Sequence, residues 1–108
     1  MDEQTFQREA DKALSGLNQA LIEAAEEFDL DCDFSAGALT ISFDHPPARF
    51  VVSPNSPVRQ IWVSANVKSY KFDWNEERQA FILPATSQTL NELVAEAISI
   101  HLGEQVTL

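Results

Sequence analysis

Apolar residues recur at spacings of three and four over the first quarter of the chain, which is the period of an amphipathic helix. The pattern predicts a helix over residues 3–27 with one apolar face. Ile22 falls off this face, so we expect it to be partly exposed. Gly16 lies mid-helix and should cost about 1 kcal/mol relative to alanine. The predicted apolar face consists of Phe6, Ala10, Leu14, Leu17, Leu21, Ala24 and Phe28.

The middle of the chain alternates apolar and polar residues with period two, which indicates short β-strands. The first strand alternates Leu30, Cys32 and Phe34 with aspartates, and a turn at Ala36-Gly37 separates it from the next. Residues 44–47 predict a second turn, because two prolines cannot both lie inside a strand ladder. The connections are too short for parallel crossovers, so we expect an antiparallel sheet. Later strands are predicted at residues 49–53, 59–65, 68–74 and 80–83.

A second amphipathic helix is predicted at residues 87–102. Thr89 and Glu92 have the spacing of a capping box, although the helix could begin earlier at Ser87, and Gly103 suits the position after a helix. The order of one helix, five to six strands and one helix predicts an α+β fold in a single domain of 108 residues. In this two-layer α-β sandwich both helices pack on one sheet face, which leaves the other face exposed.

The strand at residues 59–65 places polar residues and a tryptophan on that exposed face. If Ile61 and Val63 face the helices, then Gln60, Trp62 and Ser64 face the open side. An exposed tryptophan with polar neighbours is typical of a binding hot spot, and the alternative is that it simply covers neighbouring strands. On the next strand we expect a buried aromatic stripe of Tyr70, Phe72 and Trp74.

Acidic residues outnumber basic residues by 17 to 7, which gives a formal net charge of -10. Such a chain is repelled by nucleic acid and by anionic membrane surfaces, so we expect neither as a partner. The single cysteine, Cys32, excludes an internal disulfide and indicates a reducing compartment. No apolar run approaches the roughly 18 residues of a membrane span, and the N-terminus lacks the basic start of a secretory signal. We therefore expect a cytoplasmic protein.

Ten of the 17 acidic residues lie within the first 33 positions, together with only two of the seven basic residues. Side chains two apart on a strand stand about 6.6–7 Å apart, so these carboxylates should form a ridge rather than a pocket. Oxygen ligands without thiolate or imidazole suit Mg²⁺, Ca²⁺, Mn²⁺ or iron better than Cu⁺ or zinc. The alternative is a solvated face that protects an edge strand from aggregation. We define the acidic ridge as Glu23, Glu26, Glu27, Asp29, Asp31 and Asp33.

Motifs of common catalytic sites are absent: there is no G-x-S-x-G, no Gly-rich phosphate loop, no H-E-x-x-H and no C-x-x-C. The two histidines, His45 and His101, lie in a turn and near a helix end, without Ser or Cys at motif spacing. We therefore expect a binding protein rather than an enzyme.

Several segments together resemble the frataxin family, and in particular its bacterial members. The resemblance covers essentially the whole chain in one register. It is strongest in two sheet segments near the middle and in the aspartate-rich first strand. The similar segments are Phe6–Asp11, Asp29–Asp33, Gly37–Phe43, Gln60–Ser64, Tyr70–Trp74 and Glu96–Glu104.

The resemblance implies an α-β-α sandwich and a role in iron–sulfur cluster assembly. Frataxin-like proteins bind Fe²⁺ and Fe³⁺ weakly through an acidic ridge, with other divalent cations as competitors, and bind the cysteine desulfurase and the cluster scaffold protein. Trp62, with Gln60 beside it, matches the exposed tryptophan of the family. A monomer is expected, with iron-dependent oligomers as a second state. The matching ridge positions are Glu23, Glu27, Asp29, Asp31 and Asp33, with Glu26 nearby.

Two alternatives to this role stay open. The first is an acidic adaptor that binds proteins and for which iron is incidental. The second is weak iron oxidation, which we do not favour because paired Glu-x-x-His motifs are absent. The chain also departs from the family where Asn18, Gln19 and Ile22 replace acids and where residues 44–47 replace an Asn-Gly-type turn.

Overall fold

The computed structural model describes all 108 residues, with two helices packed on one face of a seven-stranded antiparallel sheet. Its elements are α1 (Glu3–Ala24), β1 (Asp31–Ser35), β2 (Ala38–Asp44), β3 (Pro47–Asn55), a 3₁₀ turn (Ser56–Val58), β4 (Gln60–Ala65), β5 (Lys68–Asn75), β6 (Ala80–Leu83), β7 (Gln88–Thr89) and α2 (Leu90–Leu102). The strands lie in sequence order across the sheet. This is the antiparallel arrangement that the short connections predicted. Neither helix is long and apolar enough to cross a membrane.

The first helix buries the predicted apolar face and exposes Ile22 to 47%. It ends at Ala24 rather than at residue 27. The backbone N–H of Glu26 donates to the carbonyl of Glu23, and that of Glu27 donates to Ala24, at 3.2 and 3.0 Å. These bonds span three residues instead of four, so the chain tightens into a turn after the helix. The buried residues of α1 are Phe6, Ala10, Leu14, Leu17 and Leu21, whereas Ala24 and Phe28 are half-buried.

The predicted aromatic stripe on β5 is fully buried only at its centre. Phe72 lies opposite Ile61 in the sheet register and is 0% exposed. Tyr70 and Trp74 are half-buried at the margin of the core, where the Trp74 ring contacts Phe81 with ring centroids 5.1 Å apart. The stripe therefore contributes to the core along its length, but its ends remain partly accessible.

The sheet has one strand more than the predicted five to six, because Gln88–Thr89 pairs with β6. Two residues are too short to show an alternating pattern. Thr89 caps α2, and its hydroxyl accepts from the Glu92 N–H while the Glu92 carboxylate accepts from the Thr89 N–H. The capping box is confirmed, and the earlier start at Ser87 is wrong. Gly103 ends the helix with a φ of 71°.

The chain folds back along α2 after that helix ends. Val106 is buried, and its N–H donates to the hydroxyl of Ser99 at 2.9 Å. Leu108 is half-buried and lines a depression together with Glu23 and Glu27. The C-terminal tail therefore lies beside the turn that follows α1.

Candidate functional site: an acidic ridge and an exposed sheet face

The six carboxylates of the acidic ridge are all exposed, and they come from four successive pieces of the chain. Glu23 lies in the last turn of α1, and Glu26 and Glu27 lie in the turn after it. Asp29 precedes β1, so the predicted strand face of three aspartates holds only Asp31 and Asp33. The ridge therefore bends from the helix end to the sheet edge instead of following one helix and one strand.

No lysine or arginine forms an ion pair with the acidic ridge. Two of its carboxylates have side-chain neighbours: Asp33 accepts from the Ser35 hydroxyl at 3.0 Å, and Asp29 Oδ2 lies 3.6 Å from His45 Nδ1. No three side chains of the types that bind metals converge as a possible metal site. The ridge can thus offer one or two carboxylates to a hard cation, with water completing the coordination shell.

Cys32 lies within the ridge sequence, but its chemistry differs from that of the neighbouring aspartates. Its side chain is half-buried. Burial raises the pKa of the Cys32 thiol, and the charges of Asp31 and Asp33 raise it further. Because the thiolate is the form that binds metals, a thiol with a raised pKa is a poor ligand.

The sheet face opposite the helices presents the second candidate site. As predicted, Gln60, Trp62 and Ser64 point away from the core, and Trp62 is 38% exposed. The structure adds Lys71 and Asp73 of β5, which lie opposite Trp62 and Gln60 in the register. Both alternate with buried Phe72, so the strand pattern already contained the signal that places them on this face. We call these five residues the Trp62 face.

Side chains of the Trp62 face hold one another in a fixed arrangement. The indole N–H of Trp62 donates to Gln60 Oε1 at 2.9 Å, and Gln60 Nε2 donates to Asp73 Oδ1 at 2.9 Å. Lys71 Nζ lies 5.0 Å from the centroid of the Trp62 ring, within the range of a cation–π interaction. A depression of about 370 Å³ lies beside the ring. The Trp62 ring is therefore held in one orientation by its neighbours on this face.

Comparison with known proteins assigns the chain to a family. Residues 1–104 match the model of the frataxin-like domain. The chain therefore belongs to the frataxin-like family, and the resemblance seen in its sequence is confirmed.

Individual relatives identify the branch of the family that the chain is similar to. Two are named iron-sulfur cluster assembly protein CyaY. The one from Azotobacter vinelandii (strain DJ) is 30% identical over 95 residues, which is 86% of each chain. The one from Pseudomonas entomophila (strain L48) is 32% identical over 90 residues, 82% of this chain and 81% of that one. The structure of frataxin from Psychromonas ingrahamii matches with a TM-score of 0.78 at 23% identity, over 99% of this chain and 97% of that one, which confirms the fold.

Proposed function

We propose that this protein acts in iron–sulfur cluster assembly as a non-catalytic, iron-binding regulator that contacts the cysteine desulfurase and the cluster scaffold protein. Relatives named for cluster assembly support the process. The observation that most supports the mode of action is the row of six exposed carboxylates without a lysine or arginine partner.

Iron is the cargo of the acidic ridge in this proposal. Carboxylate oxygens are hard ligands that suit Fe²⁺ and Fe³⁺, and they also accept Mg²⁺, Ca²⁺ and Mn²⁺. The carboxylates do not converge, so each ion is held by few protein ligands and by water. Binding is therefore weak, and iron can leave the ridge for an acceptor without a large energetic cost.

The cysteine desulfurase binds the acidic ridge through a basic surface of its own. The ridge carboxylates are concentrated at one edge of the molecule and are not paired with a lysine or arginine of this chain. Complementary charge mainly raises the rate of encounter and makes binding depend on salt. The same carboxylates serve iron and this partner, so each affects binding of the other.

The scaffold protein binds the Trp62 face. An oriented aromatic ring with hydrogen-bonding neighbours is the usual centre of a protein interface. Trp62 is already held by Gln60 and Lys71, so little rotamer entropy is lost when a partner covers it. The two partners then occupy different sides of the molecule.

A second function is favoured by the lack of any converging metal-ligand group: an acidic adaptor that binds the same proteins and for which iron is incidental. In that case the ridge acts only through its charge. The adaptor and the iron-binding regulator make different predictions for an iron titration of the isolated protein.

An anaerobic Fe²⁺ titration of ¹⁵N-labelled protein separates the two functions. The regulator predicts that amide signals near Asp31 shift or broaden at low iron ratios while the Trp62 indole signal stays in place. Substitution of Glu23, Glu27 and Asp31 by Lys should abolish this response and weaken desulfurase binding. The matched control reverses three exposed acids outside the ridge: Asp11, Glu77 and Glu104.

If iron causes no response but the ridge substitutions still weaken desulfurase binding, the protein is an acidic adaptor. Equal losses of desulfurase binding in both triple variants contradict a specific role of the ridge, because the two variants change the net charge by the same amount.

A further inference from the structure

The turn between β2 and β3 brings an imidazole to the acidic ridge. His45 Nδ1 lies 3.6 Å from Asp29 Oδ2, and the two side chains are 86% and 70% exposed. The hairpin register explains the pairing: Asp31 lies opposite Ser42, so the chain before β1 runs beside the end of β2. Asp29 is therefore the one ridge carboxylate with a nitrogen ligand within reach.

The separation of these two atoms fits a chelate of one metal ion. Zinc binds imidazole nitrogen and carboxylate oxygen at about 2.0–2.2 Å. Two such ligands at a tetrahedral angle are about 3.4 Å apart, whereas two at the right angle of an octahedral ion are about 3.0 Å apart. The observed 3.6 Å between Asp29 and His45 is slightly longer than either value, so a small rotation of the two exposed side chains brings both within reach of one ion.

The backbone that presents His45 is anchored to the body of the protein. His101 of α2 is hydrogen-bonded through Nε2 to the carbonyl of Pro46 at 2.8 Å. Its ring packs against Phe43, with centroids 4.5 Å apart. Pro46 and Pro47 restrict φ on the other side of His45. Only the side-chain rotamers of the pair then need to be ordered when an ion binds, which lowers the entropic cost of binding.

We propose that Asp29 and His45 chelate a divalent transition-metal ion such as Zn²⁺ or Co²⁺, with water in the remaining positions. This chelate deepens the metal-binding part of the proposed function. It rests on that function only because Asp29 belongs to the acidic ridge. The imidazole makes this end of the acidic ridge chemically different from the all-carboxylate positions, because imidazole suits zinc, copper, nickel and iron, whereas carboxylates suit the hard cations. Neither a partner protein nor iron is needed for the chelate to form.

The test is titration of the isolated protein with Zn²⁺ by calorimetry and with Co²⁺ by visible absorption. His45→Asn and Asp29→Asn should each weaken Zn²⁺ binding about tenfold or more, the scale of losing one of two ligands. Asp11→Asn removes the same charge from an exposed position outside the ridge and should change Zn²⁺ affinity less than threefold. Bound Co²⁺ should change its visible absorption spectrum in the unsubstituted protein, and this change should be lost in His45→Asn.

The double variant provides a second criterion. If both side chains hold one ion, the loss in Asp29→Asn plus His45→Asn is smaller than the product of the two single losses. Unchanged Zn²⁺ affinity in His45→Asn, or equal losses in Asp29→Asn and Asp11→Asn, overturns the chelate and leaves a simple ion pair between imidazolium and carboxylate. His45 is an exposed turn residue, so circular dichroism should show folded protein in every arm. No arm uses iron or a partner, so failure here does not decide the cluster-assembly proposal.

Discussion

The acidic ridge and the Trp62 face are both exposed, but they are built in opposite ways. The ridge carboxylates have few side-chain neighbours and follow one another from the end of α1 to β1. On the Trp62 face, two hydrogen bonds and a cation–π contact form a chain of side-chain contacts, which runs from Asp73 through Gln60 and Trp62 to Lys71. The acidic ridge is defined mainly by its negative charge, and the Trp62 face is defined by side chains in a fixed arrangement.

This difference determines how each surface can recognise anything. Charge acts over a Debye length and depends little on the position of any one carboxylate, but it is screened by salt. A packed aromatic surface acts only at contact and depends on a few side chains. Recognition by the ridge should therefore be additive and salt-dependent, and recognition by the Trp62 face should be local and insensitive to salt.

The largest effect is expected when the charge of the ridge is reversed. Glu23→Lys, Glu27→Lys and Asp31→Lys together should weaken desulfurase binding about a hundredfold at ~50 mM salt, because electrostatic attraction of this kind changes association rates by factors of 10–10³. Surface plasmon resonance at ~50 and ~300 mM salt measures this loss and its salt dependence. The Debye length falls well below 10 Å at ~300 mM salt, so electrostatic attraction should weaken there. If the affinity of the unsubstituted protein stays constant over that range, the electrostatic interpretation is contradicted.

On the Trp62 face, one substitution should be enough to weaken partner binding. Trp62→Ala should weaken scaffold binding by about 2 kcal/mol, or roughly thirtyfold, while the free energy of unfolding falls by about 1 kcal/mol or less. Iron binding should be unchanged. Denaturant unfolding and scaffold titration on the same sample give both values.

The matched variant for this prediction is Trp74→Ala on the helix-facing side of β5. Trp74 packs on Phe81, so its loss should lower stability by about 2–3 kcal/mol without a specific loss of scaffold affinity. If Trp62→Ala is the more destabilising of the two and scaffold binding survives, Trp62 belongs to the core and not to an interface.

A smaller effect should follow from loosening the arrangement around Trp62. Asp73→Ala removes the acceptor that orients Gln60, and scaffold binding should weaken by about 1 kcal/mol, or roughly fivefold. Asp73→Asn keeps an acceptor oxygen at the same place and should largely restore binding. Glu77→Ala, which removes the same charge from an exposed position in the turn after this strand, should have no effect. Equal affinities of the Ala and Asn variants would show that the orientation of Gln60 does not matter.

The smallest effect tests whether both surfaces are independent of helix stability. Gly16 lies in α1, and a Cβ built there meets no atom within 4 Å. Gly16→Ala should raise the free energy of unfolding by about 0.5–1 kcal/mol and leave iron, desulfurase and scaffold binding unchanged. Thermal and urea unfolding measure the gain. A loss of stability contradicts the open environment of this position.

Local patterns predicted most of the fold. The apolar face of α1, the Thr89–Glu92 capping box and the orientation of Trp62 each follow from the spacing of residues within one element. The end of α1 was less predictable, because the residues after Ala24 continue a helical pattern while the chain tightens to reach the sheet edge. The strand β7 could not be predicted, because two residues are too few to show an alternating pattern.

Contacts between elements were harder to obtain from the sequence. The sequence places His45 in a turn but does not show its neighbour, because only the register set by the two-residue turn at Ala36-Gly37 brings Asp29 to the end of β2. Lys71 and Asp73 were likewise visible as the exposed alternates of β5, but their bonds to Trp62 and Gln60 depend on the register of two strands. The pattern along the chain predicts the type of each element, but it does not show which residues of different elements are in contact.

The position of the C-terminal tail has a practical consequence for experiments. Leu108 lies beside Glu23 and Glu27, so a fluorophore, affinity tag or spin label attached after Leu108 sits next to the ridge and can obstruct or mimic its ligands. Met1 lies at the opposite end of a helix of 22 residues, about 33 Å away at 1.5 Å per residue. Reporter groups for iron and desulfurase measurements therefore belong at the amino end.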